Sequence, residues 1–471
     1  MAGIVAYGTY VPYWRLDRRA IAGALGTAAG KGTRAVASYD EDSTSMAVEA
    51  ARMAMAAAPP GAAPSVVAFA TANPPYLDKT NAAAIHAALG LDAAAGAYDV
   101  GGAVRSGLAA IMLADLNPFP TLAVLSDVRV GLPGGADERD GGDGAAAFLY
   151  GPDAVIAERV GAGTATAEFL DRWRLPGEGS SHLWEERFGE TAYVPLAEAA
   201  LTDALKKAGI TPDMVDHLIV TGLHSRAVRR VLSSSGVPAP AVVPDLTDAI
   251  GNSGTAHLGL LLADVLDRAE PNQLVVAVLL ADGADAVVLR TTPVLAAYRE
   301  RRTTTVAEQV AAGRADLAYN AFLTWRGMLH REPPRRPDPE RPSAPVTYRR
   351  EEWKFSFTGS RCEVCGTLHL PPDRVCLQCH AVDQMARQRM ADVPGTIATY
   401  TIDRLAYSLS PPVVAAVVDL DGGGRYTCEL TDVDPAKVKI GDRVRMTFRR
   451  AYTAGGVHNY VWKARPVAGG E

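Results

Sequence analysis

The chain has 471 residues, more than one hydrophobic core usually supports, so two or three domains are expected. Its 48% hydrophobic and 21% charged residues are ordinary for a globular protein, and a net charge of −6 argues against nucleic acid as a partner. It contains no run of 18 apolar residues, so no membrane-spanning helix is expected, and the N-terminal segment lacks the basic region of a signal peptide. These features predict a cytoplasmic enzyme.

The first part of the chain alternates short apolar runs with alanine-rich stretches. Strands are predicted for residues 3–7, 66–70 and 122–125, and helices for residues 45–58 and 80–89. This alternation predicts a layered α/β fold whose strands are buried.

The segment 195–292 repeats the same plan. A glycine-led helix is predicted over residues 251–267 and a strand over residues 274–280. The sequence of the helix is similar to that of residues 101–116. Residues 281–290 are likewise similar to residues 141–151. We interpret the similarity as a duplicated α/β unit, although segments rich in alanine and glycine can also look alike through composition alone.

The duplication assigns one half to residues 1–165 and the other to residues 166–330. Within the second half, residues 163–193 are predicted to form an insertion that carries Trp173 and Trp184.

The rest of the chain divides into three parts. Residues 331–352 begin with a stretch rich in proline and arginine that cannot build a core, and they are predicted to form an extended linker. Residues 353–390 carry paired cysteines. Residues 391–471 contain short alternating runs separated by glycine and aspartate turns, which predicts a five-stranded barrel of the OB type.

All five cysteines lie in the last quarter of the chain, and none precedes Cys362. Four of them form two Cys-x2-Cys pairs separated by ten residues: Cys362, Cys365, Cys376 and Cys379. Each pair can direct two thiolates at one ion, and four soft ligands that leave no open position favour a structural Zn²⁺. Two such pairs inside a cell indicate metal binding rather than disulfide bonds.

Several segments, taken in order, resemble a known family. They are residues 3–18 (GIVAYGTYVPYWRLDR), 74–91 (PPYLDKTNAAAIHAALGL), 98–110 (YDVGGAVRSGLAA), 141–151 (GGDGAAAFLYG), 223–231 (LHSRAVRRV) and 251–263 (GNSGTAHLGLLLA). No single segment is specific, but the ordered set resembles the archaeal-type hydroxymethylglutaryl-CoA synthases. The C-terminal parts resemble the DUF35-type zinc ribbon and OB-fold domains that accompany thiolase-like proteins.

The resemblance implies a thiolase fold with five α/β/α/β/α layers, a homodimer, and coenzyme A thioesters as substrates. It also implies a cysteine nucleophile, a histidine and an asparagine, and His224 and Asn252 match the last two. The cysteine position falls on Val104, which cannot form an acyl-enzyme. The family's catalytic glutamate is also missing, since Ala72 or Asn73 stands near its position.

Four further residues are candidates for the same site. Ser106 could replace the nucleophile, although it lies on a different side of the predicted helix start. Tyr76 could donate a hydrogen bond to a carbonyl or serve as acid or base, or it could simply pack. Arg105, assigned with Gly254 to coenzyme A binding, could contact substrate or form a salt bridge on a dimer surface.

Three functions remain open on the sequence. The first is noncovalent C–C bond formation or cleavage beside a thioester, by aldol or retro-aldol chemistry, with His224 and Asn252 at the carbonyl or enolate. The second is acyl transfer between substrates that meet directly in the pocket, with His224 as base. The third is a catalytically silent protein that binds acyl-CoA or organises a multienzyme pathway. In each case the expected partner is acyl-CoA or an acyl-carrier protein.

Overall fold

The computed structural model describes residues 2–28 and 30–467. Met1 and Ala29 of the first predicted half, and residues 468–471 of the predicted barrel, lie outside it. The chain forms two compact units. The first comprises residues up to Ala37, Asp42–Ala83 and Ala93–Tyr319, and the second comprises Ser38–Glu41, Ala84–Asp92 and the residues from Asn320 onwards.

The first part of the chain, up to Tyr319, carries thirteen strands and eleven helices within the described residues. The strands are β1 (Gly3–Tyr10), β2 (Trp14–Asp17), β3 (Thr33–Val36), β4 (Val66–Thr71), β5 (Gly96–Gly101), β6 (Thr121–Val128), β7 (Asp143–Gly151), β8 (Ala157–Ala165), β9 (Arg172–Trp173), β10 (His182–Leu183), β11 (His217–Gly222), β12 (Leu274–Leu280) and β13 (Ala284–Thr291). The helices are α1 (Arg18–Leu25), α2 (Ser43–Ala57), α3 (Ala82–Leu89), α4 (Ser106–Leu116), α5 (Ala136–Asp140), α6 (Glu186–Ala208), α7 (Ser225–Ser234), α8 (Thr247–Ile250), α9 (His257–Arg268), α10 (Val294–Arg299) and α11 (Val306–Ala311).

Nine of these strands form one sheet in the order β11-β12-β13-β8-β1-β7-β6-β4-β5. β1 pairs along its length with β7, but it meets β8 at a single residue pair, Ile4 with Ala157. The sheet therefore consists of a five-stranded and a four-stranded half joined at one bridge. Each half contains a parallel set, β5-β4-β6 in one and β11-β12 in the other.

Two helices lie between the half-sheets. Leu108 and Ile111 of α4 and Leu258 of α9 enclose a small gap together with Ala277 of β12 and Val287 of β13. On the outer faces, α2 packs against β1 and β7, and α6 packs against β8 and β13. These layers confirm the predicted α/β/α/β/α order.

Both outer helices approach their strands at glycines. A Cβ atom on Gly8 of β1 would lie 2.3 Å from the Ala50 carbonyl oxygen of α2. A Cβ atom on Gly163 of β8 would lie 2.1 Å from the Ala200 carbonyl oxygen of α6. Glycines in the strands and alanines in the helices leave little side-chain volume between the two backbones, so that helix and sheet can come close. This close approach explains why both helices are rich in alanine.

The chain from Tyr319 onwards carries three short helices and two small sheets. The helices are α12 (Tyr319–Trp325), α13 (Ala344–Arg349) and α14 (Glu351–Lys354). The strands are β14 (Thr358–Cys362), β15 (Leu368–His369), β16 (Met385–Arg389), β17 (Gly395–Asp403), β18 (Val413–Leu420), β19 (Arg425–Glu429), β20 (Arg443–Ala454) and β21 (Val457–Pro466).

The larger of these sheets closes into a barrel. Its order is β19-β18-β17-β20-β21, and a bridge between Leu430 and Ala464 joins the end beyond β19 to β21. Side chains alternate between buried and half-buried along β18, as a curved sheet around one core requires. The predicted barrel is confirmed. The prediction that the linker is extended was wrong in one respect, because residues 344–354 are mostly helical. Pro345 lies in the first turn of α13, where a helix tolerates proline.

Buried ion pairs fix Ser38–Glu41 within the second unit. Lys463 contacts Asp40 at 3.0 Å and Glu429 at 2.7 Å, and its side chain is 3% exposed. Arg449, equally buried, pairs with Glu41 and lies 2.5 Å from Asp432. Among the described helices, none is both long enough and apolar enough to cross a bilayer.

Candidate active site

A cavity with a volume of about 570 Å³ lies in the first unit. Its walls come from the segments that directly follow β4, β5, β6, β11 and β12, together with the β9–β10 hairpin. Parallel strands present their carboxyl ends at one edge of a sheet, and loops at that edge are where α/β proteins bind ligands. The duplicated fold thus brings the strand ends of both halves to one cavity.

Val104 lies in this cavity wall just before α4 begins. The chain leaves β5, turns at Gly102 with a φ of +114°, and enters the helix within a few residues. The Val104 side chain is 8% exposed. Ser106 does not line the cavity; its hydroxyl accepts a hydrogen bond from the Ala103 amide at 3.4 Å. Ser106 was expected to lie on a different side of the helix start, and in the structure Val104 lines the cavity whereas Ser106 does not.

His224 lines the cavity from the opposite half, at the start of α7. Its Nδ1 accepts a hydrogen bond from the Ala227 amide at 3.1 Å, and its Nε2 lies 2.8 Å from the Glu186 carbonyl oxygen. Because Nδ1 accepts, the proton of the neutral ring resides on Nε2, which donates to Glu186. Both ring nitrogens are therefore engaged with backbone groups.

Asn252 and Gly254 lie behind the cavity wall. The Asn252 side-chain amide donates to the Gly222 carbonyl at 3.1 Å, and its oxygen accepts from the Gly254 amide at 2.9 Å. Gly254 has a φ of +55°, and a Cβ atom there would lie 2.5 Å from the Asp127 carboxylate. Neither residue lines the cavity, so Asn252 acts on the end of β11, two residues before His224, rather than on a ligand directly.

Arg105 and Tyr76 have different surroundings. Arg105 forms an ion pair with Asp285 at 2.7 Å and also donates to the Asp282 carbonyl and the Thr166 hydroxyl. The structure therefore places it in a salt bridge within the chain, where it contacts Asp282 of the cavity wall but does not itself line the cavity. Tyr76 does line the cavity, and its backbone is held by Asn81 at 3.1 Å. Of the predicted residues, the structure brings together Val104, His224 and Tyr76.

Four carboxyl groups line the cavity, and none was predicted from the sequence: Asp99, Asp171, Glu178 and Asp282. Two of them, Asp171 and Asp282, lie close to Tyr193. Asp282 directly follows β12, and Asp171 directly precedes β9. Partial burial raises the pKa of Asp282, the nearby Arg105 guanidinium opposes the rise, and the Asp171 carboxylate adds to it, so that the net shift is upward. The Tyr193 hydroxyl accepts from the Asp282 amide at 3.4 Å, and its ring centroid lies 6.0 Å from that of His224. The sequence feature that could have identified Asp282 as a site residue is its position shortly after the strand predicted for residues 274–280.

The β9–β10 hairpin supplies a second set of side chains that the sequence analysis missed. It belongs to the predicted insertion, and residues 171–178 all line the cavity. The Arg172 guanidinium donates two hydrogen bonds to the Asp137 carboxylate, at 2.7 and 2.9 Å. The Arg174 guanidinium donates to the Ala72 carbonyl at 2.5 Å. Trp173 stacks on His182 with ring centroids 5.4 Å apart. The insertion is thus part of the site.

The four paired cysteines converge in the second unit, next to β14. Their sulfur atoms all lie within 4.8 Å of one another, with 3.6 Å between Cys362 and Cys379 and 3.5 Å between Cys365 and Cys376. A tetrahedral zinc with Zn–S bonds of about 2.3 Å separates its sulfurs by roughly 3.8 Å. The cluster can therefore hold a metal ion, as the spacing predicted.

Comparison with known proteins agrees with both parts of this architecture. Residues 388–449 match the family described as the ChsH2 C-terminal OB-fold domain. A hydroxymethylglutaryl-CoA synthase of Methanopyrus kandleri is 29% identical over 69% of this chain and 97% of its own length. The structure of MvaS in complex with 3-hydroxy-3-methylglutaryl coenzyme A superimposes with a TM-score of 0.58 at 21% identity, covering 73% of this chain and 94% of that one.

A second synthase, from Aeropyrum pernix, is 32% identical over 70% of this chain and 95% of its own length. At that identity and coverage, the chain belongs to the hydroxymethylglutaryl-CoA synthase family, here joined to a C-terminal OB-fold domain.

Proposed function

We propose that this protein makes or breaks a C–C bond beside a coenzyme A or carrier-protein thioester without forming an acyl-enzyme. The observation that carries the proposal is Val104 in the cavity wall, at the position that matches the family's cysteine, in a chain whose first cysteine is Cys362. A hydrocarbon side chain can shape the pocket but cannot attack a thioester. The family's covalent condensation therefore lacks its nucleophile here.

The remaining groups suit enolate chemistry. Asp282 is assigned as the base, since a raised pKa makes a carboxylate better able to take a proton near neutral pH. In the cleavage direction Asp282 removes the proton of a β-hydroxyl group, and the β carbon becomes a carbonyl carbon. The bond between the α and β carbons breaks, and the electron pair of that bond forms a thioester enolate. The enolate then takes a proton at its α carbon. Condensation is the same sequence reversed.

The His224 Nε2–H is assigned as the hydrogen-bond donor to the thioester oxygen, where negative charge develops. In the structure that proton is held by the Glu186 carbonyl, so a bound thioester oxygen would replace or share that partner. Acyl transfer with His224 as base is less well supported, because the unprotonated nitrogen, Nδ1, already accepts from Ala227.

A catalytically silent acyl-CoA binder is the second candidate. The observation in its favour is that both nitrogens of His224 have backbone partners, as in a histidine that only caps a helix. The cavity would then bind a thioester without transforming it.

The proposal is tested by incubating the protein with a panel of β-hydroxyacyl-CoAs and separating the acyl-CoA products by chromatography. We expect the wild type to release a shorter acyl-CoA, and Asp282→Asn and His224→Ala each to slow release by about 10²-fold or more. Asp203→Asn, on the exposed face of α6, is the matched control and should match the wild type. Mass spectrometry should detect no acylated protein. Binding without turnover in wild type would establish the silent alternative.

We also propose that the cysteine cluster holds a structural Zn²⁺. Four thiolates without an open position fit a closed structural site. The ion would hold the loops around β14 and β15 together. A metal assay should give about one equivalent of zinc per chain, and removal by chelation should unfold the ribbon. Native protein purified without zinc would contradict the assignment.

A further inference from the structure

The second unit contains a cavity of its own, with a volume of about 350 Å³. Most of its wall comes from the helices α13 and α14 and from the strands β19, β20 and β21 of the barrel. Cavities that bind small organic molecules measure about 300–1,000 Å³, so this one is large enough for a ligand. Neither the proposed thioester chemistry nor the cysteine cluster uses a residue of this wall.

Aromatic side chains make up much of this second wall. Six of them line the cavity: Trp353, Phe357, Tyr426, Tyr452, Tyr460 and Trp462. The indole nitrogen of Trp462 donates to the Phe355 carbonyl at 2.9 Å, and the Tyr426 hydroxyl donates to the Trp462 carbonyl at 3.3 Å. Because backbone groups hold these polar atoms, the fold fixes the rings in place without a ligand. A fixed aromatic wall favours a ligand with a ring of its own, which can stack on it or meet it edge to face.

The charged side chains of the same wall are both cations. Lys354 of α14 is half-buried, and Arg350, just before α14, is exposed. The Lys354 ammonium donates to the Thr347 hydroxyl at 3.4 Å and lies 5.9 Å from the centre of the Phe355 ring. It forms no ion pair with any described residue, and burial lowers its pKa. The wall therefore holds a half-buried cation without a counter-charge.

The nearest acidic residues along the chain do not supply that counter-charge. Glu351 and Glu352 of α14 are exposed and do not line the cavity, and Glu352 forms its ion pair with Arg387. Glu340 contributes its backbone carbonyl, which accepts from the Tyr452 hydroxyl at 3.4 Å, and is itself exposed outside the wall. Among the described residues that line this cavity, none is an aspartate or a glutamate. An ammonium that loses water without gaining an anion is costly, and a bound anion would offset that cost.

We propose that this cavity of the second unit binds an aromatic carboxylic acid, with the ring against the aromatic wall and the carboxylate on the Lys354 ammonium. A hydrogen bond between an ammonium and a carboxylate is roughly twice as strong as one between neutral groups, so the ligand outcompetes the long contact with Thr347. Arg350 adds positive charge at the exposed side of the wall. Because only Lys354 is shielded from water, the wall balances the single charge of a carboxylate better than the two charges of a phosphate.

The test is calorimetric titration of the full-length protein with benzoate, 2-naphthoate and indole-3-acetate, each compared with its uncharged amide. For at least one pair, wild type should bind the acid about tenfold or more tightly than the amide. Lys354→Met should abolish that preference, and Lys354→Arg, which keeps the charge, should retain part of it. Lys437→Met removes an exposed lysine of the same unit outside the wall, and as the matched control it should leave the preference unchanged.

Thermal unfolding separates binding from stability. Lys354→Met should melt no lower than wild type, because the substitution removes a half-buried charge that has no ion-pair partner among the described residues. A loss of acid binding at unchanged stability supports a ligand-binding role for Lys354. A melting temperature well below that of wild type would show that the ammonium serves the fold instead, and would contradict the proposal.

Four binding results would also overturn the proposal. Equal affinity of wild type for every acid and its amide, or no binding of any of them, rejects the carboxylate site. If octanoate binds as tightly as the aromatic acids, the aromatic wall does not select a ring. If AMP binds more tightly than the acids and displaces them, the ligand is a nucleotide. If Lys354→Met keeps the preference of wild type, the acids bind elsewhere in the protein. None of these results bears on the thioester chemistry proposed for the first unit.

Discussion

The position of the His224 ring depends on the absence of a side chain at residue 189. Gly189 of α6 lies against the imidazole, and a Cβ atom at this position would come within 2.5 Å of the ring Cδ2 and 2.7 Å of Nε2. The sequence motif around residue 224 assigned this histidine to the site, and the structure places it in the cavity wall. It could not predict the ring's partners, because the Glu186 carbonyl comes from a helix 38 residues earlier in the chain. Likewise, Asn252 was assigned by motif, whereas its bonds to Gly222 and Gly254 depend on backbone geometry that no spacing reveals.

A substitution at Gly189 tests the effect of the His224 ring position on turnover separately from the stability of the fold. Gly189→Ala should push the His224 ring away from the Glu186 carbonyl while adding helix propensity worth up to about 1 kcal/mol. We expect a melting temperature within a few degrees of wild type but a loss of thioester turnover approaching that of His224→Ala. Gly23→Ala, in α1 with open space around its Cβ position, is the control and should keep full activity. Normal turnover in Gly189→Ala would show that ring position does not matter.

The buried pair of Asp40 and Lys463 makes the second unit sensitive to acid. Burial alone would raise the pKa of Asp40, but the ammonium of Lys463 and the guanidinium of Arg449 outweigh it and lower the pKa to about 2. A folded-state pKa below the unfolded value of about 3.9 stabilises the fold at higher pH. That contribution is lost as pH falls from about 4 to about 2. Chemical denaturation across this range should show the free energy of unfolding declining.

Asp40→Asn tests the same pair at neutral pH. The variant leaves the Lys463 charge buried, with only the more exposed Glu429 as a carboxylate partner, and should lower the stability of the second unit by about 3–5 kcal/mol. Its stability should also depend less on pH between about 4 and 2. Asp203→Asn, at an exposed ion pair of the first unit, should change neither quantity. An unchanged pH dependence in Asp40→Asn would assign the acid sensitivity to another group.

At the scale of elements, the periodic parts of the sequence were predictable and the irregular ones were not. Apolar runs located β4 and β12 to within a residue or so, because buried strands of an α/β sheet need continuous apolar stretches. The β9–β10 hairpin has strands of only two residues, so no periodicity marked it, although an insertion was predicted at this place. Its arginines therefore went unassigned until the fold placed them beside Arg129.

The glycines beneath α2 and α6 yield a prediction for both halves. Gly163→Ala would place a Cβ atom 2.1 Å from a backbone oxygen of α6, and Gly8→Ala would place one 2.3 Å from a backbone oxygen of α2. Backbone cannot rotate away as a side chain does, so each change should destabilise the first unit by about 1–3 kcal/mol. Urea denaturation measures this, with Gly23→Ala as the tolerated control. Similar losses at both positions would support the duplication, and a loss at one alone would argue against equivalent roles.

At the scale of the whole molecule, the main sheet ends at an exposed strand. β5 pairs with β4 on one side only within the described residues, and Tyr98 at its centre is 61% exposed. An unprotected edge strand with apolar side chains favours pairing with another strand. The homodimer that the family resemblance implies would form if two copies associated through β5 and its surroundings.

A charge on this edge should prevent the association. Tyr98→Lys places an ammonium where a second copy would pack, and lysine on an edge strand is a common means of blocking such pairing. We expect light scattering after gel filtration to give twice the chain mass for wild type and the single-chain mass for the variant at micromolar concentrations. Leu132→Lys, at a residue 64% exposed in a loop of the same unit, controls for the change in charge and should remain dimeric. A dimeric Tyr98→Lys protein would place the interface elsewhere, and a monomeric wild type would exclude the homodimer.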